Sequence, residues 1–167
     1  DKAESNIVYK KYWKATAQDL FSIHSVARFQ WIQTPYGFKY GRQIGFGNDF
    51  VRGYELTSLN AGNFGLVKMD YRRKIWDLSQ QVDRIKNWLN IPFDIPIEMY
   101  VNVFTDVSKT FLDYQSDRDN SQWGVLLHGY GMGIDFLMFR RFLCSTQYSI
   151  NRHGEKGIYL HITFTKE

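Results

Sequence analysis

The chain has 167 residues but only one cysteine, Cys144, and three prolines, and it contains no long apolar run. A single cysteine excludes an intrachain disulfide and a cysteine cluster for zinc. A membrane-spanning helix needs about eighteen consecutive apolar residues, so a helical membrane protein is excluded as well. The formal net charge is +4, yet the basic residues form only short pairs, Lys10-Lys11, Arg72-Arg73 and Arg140-Arg141. Because no basic stripe forms, we expect no nucleic-acid partner.

The composition also limits the classes of protein to which the chain can belong. Hydrophobic residues make up 44% of the chain and aromatic residues 17%, which excludes a disordered polypeptide and suits one folded domain over residues 1–167. The four histidines show no metal-ligand spacing; they are His24, His128, His153 and His161. No residue group suggests covalent chemistry. We therefore expect no enzymatic activity, no cofactor and no metal.

The dominant pattern has a period of two residues, which is typical of β-strands with two different faces. In Phe64 to Trp76, for example, Val67, Met69 and Tyr71 alternate with Lys68 and Asp70. Residues 5–9 are predicted to end a preceding strand. The alternation predicts six further strands: 20–32, 64–76, 97–108, 126–138, 142–150 and 158–164.

Two classes of β-protein fit this alternation. A water-soluble antiparallel barrel or sandwich buries its apolar face and exposes its polar face to water. A transmembrane barrel points its apolar face at lipid. The segments are longer than the usual soluble strand of about five or six residues and resemble the about 9–11 residues that cross a bilayer at a tilt. Aromatic residues near the segment ends resemble interfacial girdles. The transmembrane barrel is the favoured interpretation, and the soluble barrel remains the alternative.

The connections alternate in length, which gives an orientation if the last strand ends on the periplasmic side. Segments 33–63, 109–123 and 151–157 are then predicted outside the cell, and segments 10–19 and 139–141 on the periplasmic side. Segment 77–96 has apolar residues at helical spacing, which fits a short amphipathic helix or a packed turn.

The long 33–63 segment contains Arg52 between apolar and aromatic neighbours, in NDFVRGYELTSLN. A loop that folds into a barrel lumen would need acceptors for this guanidinium, because an unpaired buried charge costs several kcal/mol. The lumen-facing carboxylates Asp70 and Asp106 are the expected acceptors. Glycines favour sharp turns and close backbone approach, so Gly53 fits the loop. Three glycines on one strand face are expected to leave room for it: Gly129, Gly131 and Gly133.

These residues resemble the BamA superfamily of outer-membrane barrel insertases and polypeptide translocators. The motif of Val51, Arg52, Gly53 and Tyr54 looks like the family's hallmark [VI]RG[FY] loop, whose arginine reaches acidic residues on the next two strands. The segments KMDYR, NVFTDVS and GYGMGIDF are similar to the family's strands that supply the two acids and a glycine-rich wall, and FGNDFVRGYEL is most similar to surface-antigen-type members. The resemblance covers roughly residues 20–167. It departs from the family at Ser108, where many members have glycine, and at the Thr-Lys-Glu tail.

The final strand resembles the C-terminal signal by which barrel proteins are recognised for insertion. Its pattern residues are Gly157, Leu160, Ile162 and Phe164. In the family this strand pairs weakly with the first barrel strand, and client strands are thought to pair at that seam.

The resemblance implies an all-β chain that forms the C-terminal six to seven antiparallel strands of a sixteen-stranded barrel. It also implies assembly or insertion of outer-membrane barrel proteins, in the outer membrane of a Gram-negative bacterium. The implied partners are outer-membrane lipids, client barrel polypeptides, accessory assembly subunits and the missing N-terminal part of the barrel. Alternatives within the family are a polypeptide secretion translocator and a barrel that carries a patatin-like passenger. From another class, the alternative is a soluble β-barrel ligand-binding module.

Overall fold

A computed structural model describes residues 4–30, 49–55, 63–77, 96–112, 125–139 and 141–164. Over these ranges the protein contains seven β-strands and no helix. The strands are β1 (Glu4–Lys14), β2 (Asp19–Gln30), β3 (Asn63–Asp77), β4 (Ile97–Leu112), β5 (Leu126–Met138), β6 (Phe142–Asn151) and β7 (Lys156–Phe164). The predicted all-β class and antiparallel pairing are confirmed.

The strands form one sheet in which each strand pairs with its neighbours in the sequence. Within the described ranges, β1 and β7 each pair with one strand and are the two edges of the sheet. We call the end with the β2–β3, β4–β5 and β6–β7 connections the loop end. The opposite end, with the β1–β2, β3–β4 and β5–β6 connections, is the turn end.

Two short connections at the turn end, β1–β2 and β5–β6, help to keep the strands that they join in register. In the β1–β2 turn, the Thr16 hydroxyl accepts hydrogen bonds from the backbone N–H groups of Gln18 and Asp19, a local arrangement common in turns. The β5–β6 turn follows Met138 directly, and the Arg141 N–H donates to the Met138 carbonyl over 3.1 Å. The tight turn predicted at 139–141 is therefore confirmed.

The sheet has an apolar face that is exposed. On this face, Met69 is 47% exposed and Met132 60%, although each lies in the middle of a long strand. Other exposed side chains on the apolar face include Ile7, Tyr9, Trp13, Phe21, Phe29, Val101, Val103, Val107, Leu126, Tyr130, Ile134, Tyr148, Ile158, Leu160, Ile162 and Phe164. A soluble single sheet would instead turn this face toward a packed layer.

The opposite, polar face is buried in the middle of the sheet, whereas its side chains on β1 are exposed. Asp106 and Asp135 are both fully buried there. Buried polar residues on the same face also include Arg28, Asn102, Ser108, Ser145, Gln147, Ser149 and Asn151. Residues 49–55, which we call the Arg52 loop, lie over the loop end of this face and account for part of the burial.

The structure corrects several predicted boundaries. Residues 10–19 were expected to be a connection, but β1 continues to Lys14 and leaves only 15–18 as the turn. Similarly, β4 continues to Leu112, beyond the predicted start of the 109–123 connection. The long connection ends one residue earlier than predicted, since Asn63 belongs to β3. Most of the predicted 77–96 helix or turn, residues 78–95, lies outside the described residues. No helix in the described ranges is long and apolar enough to span a membrane.

Candidate functional site

The Val51-Arg52-Gly53-Tyr54 motif forms a tight turn on the polar face. The Tyr54 N–H donates to the Val51 carbonyl over 3.0 Å, which closes the four-residue turn. Gly53 has a φ of 92°, in the left-handed region that the third residue of a type II turn requires. The turn therefore needs a glycine at this position and presents Arg52 at its tip.

Arg52 lies between the two predicted carboxylates. Its Nε donates to Asp106 Oδ2 over 2.8 Å and its Nη2 to Asp106 Oδ1 over 2.5 Å, which is the two-pronged geometry that suits a guanidinium. Its Nη1 donates to Asp70 Oδ1 over 2.5 Å. The predicted contacts of Arg52 with Asp70 and Asp106 are therefore present.

The surroundings keep Arg52 charged. Burial by itself lowers the pKa of the guanidinium, but the hydrogen bonds and charges of Asp106 and Asp70 outweigh burial, so its pKa is raised. The guanidinium carbon also lies 3.9 Å from the centre of the Phe104 ring, a cation–π arrangement. Two carboxylates and an aromatic face thus compensate for the loss of water around Arg52.

The apolar neighbours of Arg52 fasten the turn to the sheet. Val51 and Tyr54 are buried in a small hydrophobic cluster at the loop end of the polar face. Its other buried members are Val26, Phe64, Leu66 and Leu127. Val51 and Tyr54 pack into this cluster, while the guanidinium of Arg52 reaches the carboxylates. This arrangement explains why Arg52 lies between apolar residues in the sequence.

The three glycines of β5 have different neighbours. A Cβ atom on Gly129 would lie 1.7 Å from the Arg52 carbonyl oxygen, so this glycine makes room for the loop, as predicted. A Cβ on Gly131 would instead lie 2.1 Å from the Tyr148 carbonyl oxygen and 2.8 Å from the Phe104 ring. At Gly133 the nearest atoms belong to β6 and to Asn102. Among the described residues, glycine at positions 131 and 133 admits the neighbouring strand and side chains from β4 and β6 rather than the Arg52 loop.

Further contacts hold the residues on either side of the motif. Asp49 accepts a hydrogen bond from Arg28 over 2.9 Å. The Phe50 ring stacks on His161 of β7 with ring centres 5.3 Å apart, and Lys68 Nζ lies 3.9 Å from the centre of the Phe50 ring. The Arg52 loop therefore makes a further contact with β3 and also contacts β2 and the edge strand β7, neither of which the sequence indicated.

Asn151 ties the Arg52 loop to the β6–β7 turn. Its Nδ2 donates to the Gly53 carbonyl over 3.2 Å and to Glu155 Oε2 of the β6–β7 turn over 2.6 Å. Its Oδ1 accepts from the backbone N–H groups of His153 and Glu155, both over 3.0 Å. Asparagine commonly organises turns in this way, and that preference was the signal that could have drawn attention to it.

A second buried carboxylate, Asp135, lies deeper on the polar face and was not predicted as a site residue. Arg72 Nε is 3.0 Å from Asp135 Oδ2, and Asn102 Nδ2 donates to Asp135 Oδ1 over 2.5 Å. The Ser145 hydroxyl also donates to Oδ1, and Gln147 donates to Ser145 Oγ over 2.8 Å. Side chains from β3, β4 and β6 thus converge on one acid of β5.

Between the two ion clusters lies a polar cavity of about 380 Å³. Its lining includes Arg52, Lys68, Arg72, Gln147 and His161. Several buried polar atoms of this face have no hydrogen-bond partner within the described ranges, among them Gln147 Oε1 and Ser149 Oγ. Groups of this kind suit a hydrated interior. Within the same ranges, no three His, Cys, Asp or Glu side chains are grouped to hold a metal ion.

The residues of the predicted C-terminal signal lie on β7. Leu160, Ile162 and Phe164 share the apolar face and are 62%, 56% and 73% exposed. Gly157 lies on the opposite face, where an added Cβ would be 2.4 Å from the Tyr159 ring. β7 therefore presents the three apolar residues of the predicted pattern on one open surface and Gly157 on the other face.

Comparison of the chain with protein-family models, curated proteins and solved structures gave no match.

Proposed function

We propose that this chain is the C-terminal part of an outer-membrane β-barrel of the BamA type, which assembles or inserts barrel proteins. The observation that carries the proposal is the inverted character of the sheet. The apolar face is exposed along its length, whereas arginine, lysine and aspartate are buried on the polar face. A lipid-facing wall around a hydrated lumen satisfies both faces at once.

The Arg52 loop supports the BamA type in particular. The family motif resembled by the sequence places its arginine against acids on the next two strands, and Arg52 contacts Asp70 on β3 and Asp106 on β4. In the proposed barrel this loop is an inward-folded anchor that fixes the positions of β3, β4 and β5. The wall then keeps its shape while other strands move.

The proposed activity is to supply hydrogen-bond partners to strands that enter the membrane. A client strand in lipid has unpaired backbone groups, each of which costs several kcal/mol to bury. β7 has one edge without a strand partner within the described ranges, and its apolar face is open. Client barrel polypeptides are therefore the proposed substrates, and accessory subunits and the N-terminal part of the barrel the proposed partners.

Replacement of Arg52 in the full-length protein of the producing bacterium tests the proposal. We expect Arg52→Ala to lower the amounts of many outer-membrane barrel proteins together, measured by quantitative mass spectrometry of the membrane fraction. Arg152→Ala is the matched control, because Arg152 is an exposed arginine in the nearby β6–β7 turn. If the strain contains the protein only as the Arg52→Ala variant and all barrel proteins remain at normal levels, the proposal is contradicted. Loss of a single secreted protein would instead indicate a dedicated translocator.

The soluble ligand-binding alternative makes a different physical prediction. A soluble module must cover its apolar face, so it should stay monodisperse without detergent. The proposed membrane barrel should aggregate when detergent is removed, because Met132, Leu160 and the other exposed side chains would then face water. Size-exclusion chromatography with and without detergent distinguishes the two classes.

A further inference from the structure

An apolar groove of about 600 Å³ crosses β1 to β4 on the apolar face, near the turn end. Its lining includes Trp13, Phe21, Ile23, Met69, Tyr71 and Val103. In the sheet, Trp13 is paired with Phe21, Phe21 with Tyr71, and Tyr71 with Val103, so these four residues form one row across the strands. Ile23 and Met69 belong to the next row. The groove follows these rows.

The aromatic wall of the groove is held in place. The Phe21 and Tyr71 rings have centres 4.7 Å apart and planes tilted by 37°. The Tyr71 hydroxyl donates to Asp19 Oδ1 over 2.7 Å, so this tyrosine is fixed at both its ring and its hydroxyl. A preformed apolar surface with rigid rings binds a flexible chain at a smaller entropic cost than a mobile one.

Two basic side chains lie beside the groove. Lys11 Nζ lies 5.1 Å from the centre of the Trp13 ring, and the Arg73 side chain is 57% exposed. The nearby acid, Asp19, already accepts hydrogen bonds from Thr16 and Tyr71, and its Oδ1 is 3.9 Å from Arg73 Nε. Two cations, Lys11 and Arg73, and one engaged carboxylate leave this rim positively charged.

We propose that the groove binds a phospholipid whose headgroup carries a net negative charge. One acyl chain lies along the Trp13–Val103 row, and the phosphate contacts Lys11 and Arg73. A guanidinium presents paired donors to phosphate oxygens, and basic residues beside a bilayer attract anionic headgroups. The site rests on the proposed function, which places the turn end at the periplasmic leaflet.

The test uses the protein in detergent micelles and quenching of tryptophan fluorescence by phospholipids brominated on their acyl chains. Subtraction of the Trp13→Phe signal isolates the emission of Trp13 from that of the other tryptophans. We expect brominated phosphatidylglycerol to quench Trp13 at a mole fraction about tenfold lower than brominated phosphatidylcholine, as attraction by two basic residues suggests. The double variant Lys11→Gln, Arg73→Gln should abolish this preference. Lys156→Gln should keep it, since Lys156 begins β7 at the loop end.

The outcomes separate this site from the proposed function. Equal quenching of Trp13 by both lipids would overturn the anionic site and leave a lipid-facing wall intact. A preference that persists in the Lys11→Gln, Arg73→Gln variant would also overturn it. If neither lipid quenches Trp13 and the protein stays monodisperse without detergent, both the site and the membrane location are wrong.

Discussion

Arg52 and Asp106 are joined by three hydrogen bonds, one of which comes from the backbone. The Arg52 N–H donates to Asp106 Oδ2 over 3.0 Å, in addition to the bonds from Nε and Nη2. Asp106 therefore fixes the loop backbone and the guanidinium at once. Because the aspartate side chain is fully buried, neither partner can be lost without leaving a charge or donor away from water.

Arg52→Ala should destabilise the protein by about 3–5 kcal/mol, because it leaves Asp70 and Asp106 close together without their cation. The free energy of unfolding in urea, measured in detergent, checks this value. Arg52→Lys should recover only part of the loss, since an ammonium group cannot make the paired contact with Asp106. A loss in Arg52→Ala no larger than in the exposed control Arg152→Ala would contradict the account.

Asp106 should contribute more to the stability of the protein than Asp70. Asp106 accepts three hydrogen bonds from Arg52 and is fully buried, whereas Asp70 accepts one and keeps 13% of its side chain exposed. Asp106→Asn should therefore cost about 3–5 kcal/mol. Asp70→Asn should cost about 1.5–3 kcal/mol, the usual range for one charged hydrogen bond. The same unfolding measurement ranks them, and the reverse order would show that Asp70 is the principal acceptor.

Gly129→Ala should displace the Arg52 loop, because the added methyl would lie 1.7 Å from the Arg52 carbonyl oxygen. We expect the free energy of unfolding to fall by about 1–3 kcal/mol and proteolysis within the loop to become faster. Gly65→Ala is the matched control, since its Cβ would meet only the Phe111 ring at an ordinary 3.5 Å. Equal protease sensitivity of the two variants would show that the loop does not depend on Gly129.

Asn151→Ala should loosen the Arg52 loop and the β6–β7 turn together, because one side chain bonds to both. Hydrogen exchange should increase at Gly154 and in residues 49–55. Ser149→Ala is the control on the same strand and face, where the buried hydroxyl has no partner within the described ranges. Its removal should be neutral or slightly stabilising. If exchange rises in the turn alone, Asn151 does not couple the two segments.

The strands were largely predictable because alternation sets which side chains share a face, and that pattern holds in β3, β5 and β7. It failed at the end of β1. Lys10 and Lys14 lie on one face and Lys11 on the other, so the local pattern is not two-faced. That segment is a strand because it pairs along its whole length with β2, which is a tertiary effect.

The candidate site was predictable where a motif existed. The contacts of Arg52 with Asp70 and Asp106 followed from the need to neutralise a buried cation and from the family resemblance. The Asp135 network was missed because its partners come from three other strands, and only their mutual register brings them together. The contact of Phe50 with His161 was missed for the same reason, since more than a hundred residues separate them.

The exposed apolar face is the central feature of the account, and spin labels on adjacent residues of one strand test it most directly. Tyr9 and Lys10 are both exposed on β1 but belong to opposite faces. Each is changed to cysteine in the full-length protein with Cys144→Ser, labelled and reconstituted in bilayers. We predict that the label at 9 is reached by oxygen dissolved in lipid and the label at 10 by a water-soluble nickel complex. A label at 9 that the nickel complex reaches as readily as the label at 10 would contradict a lipid-facing wall.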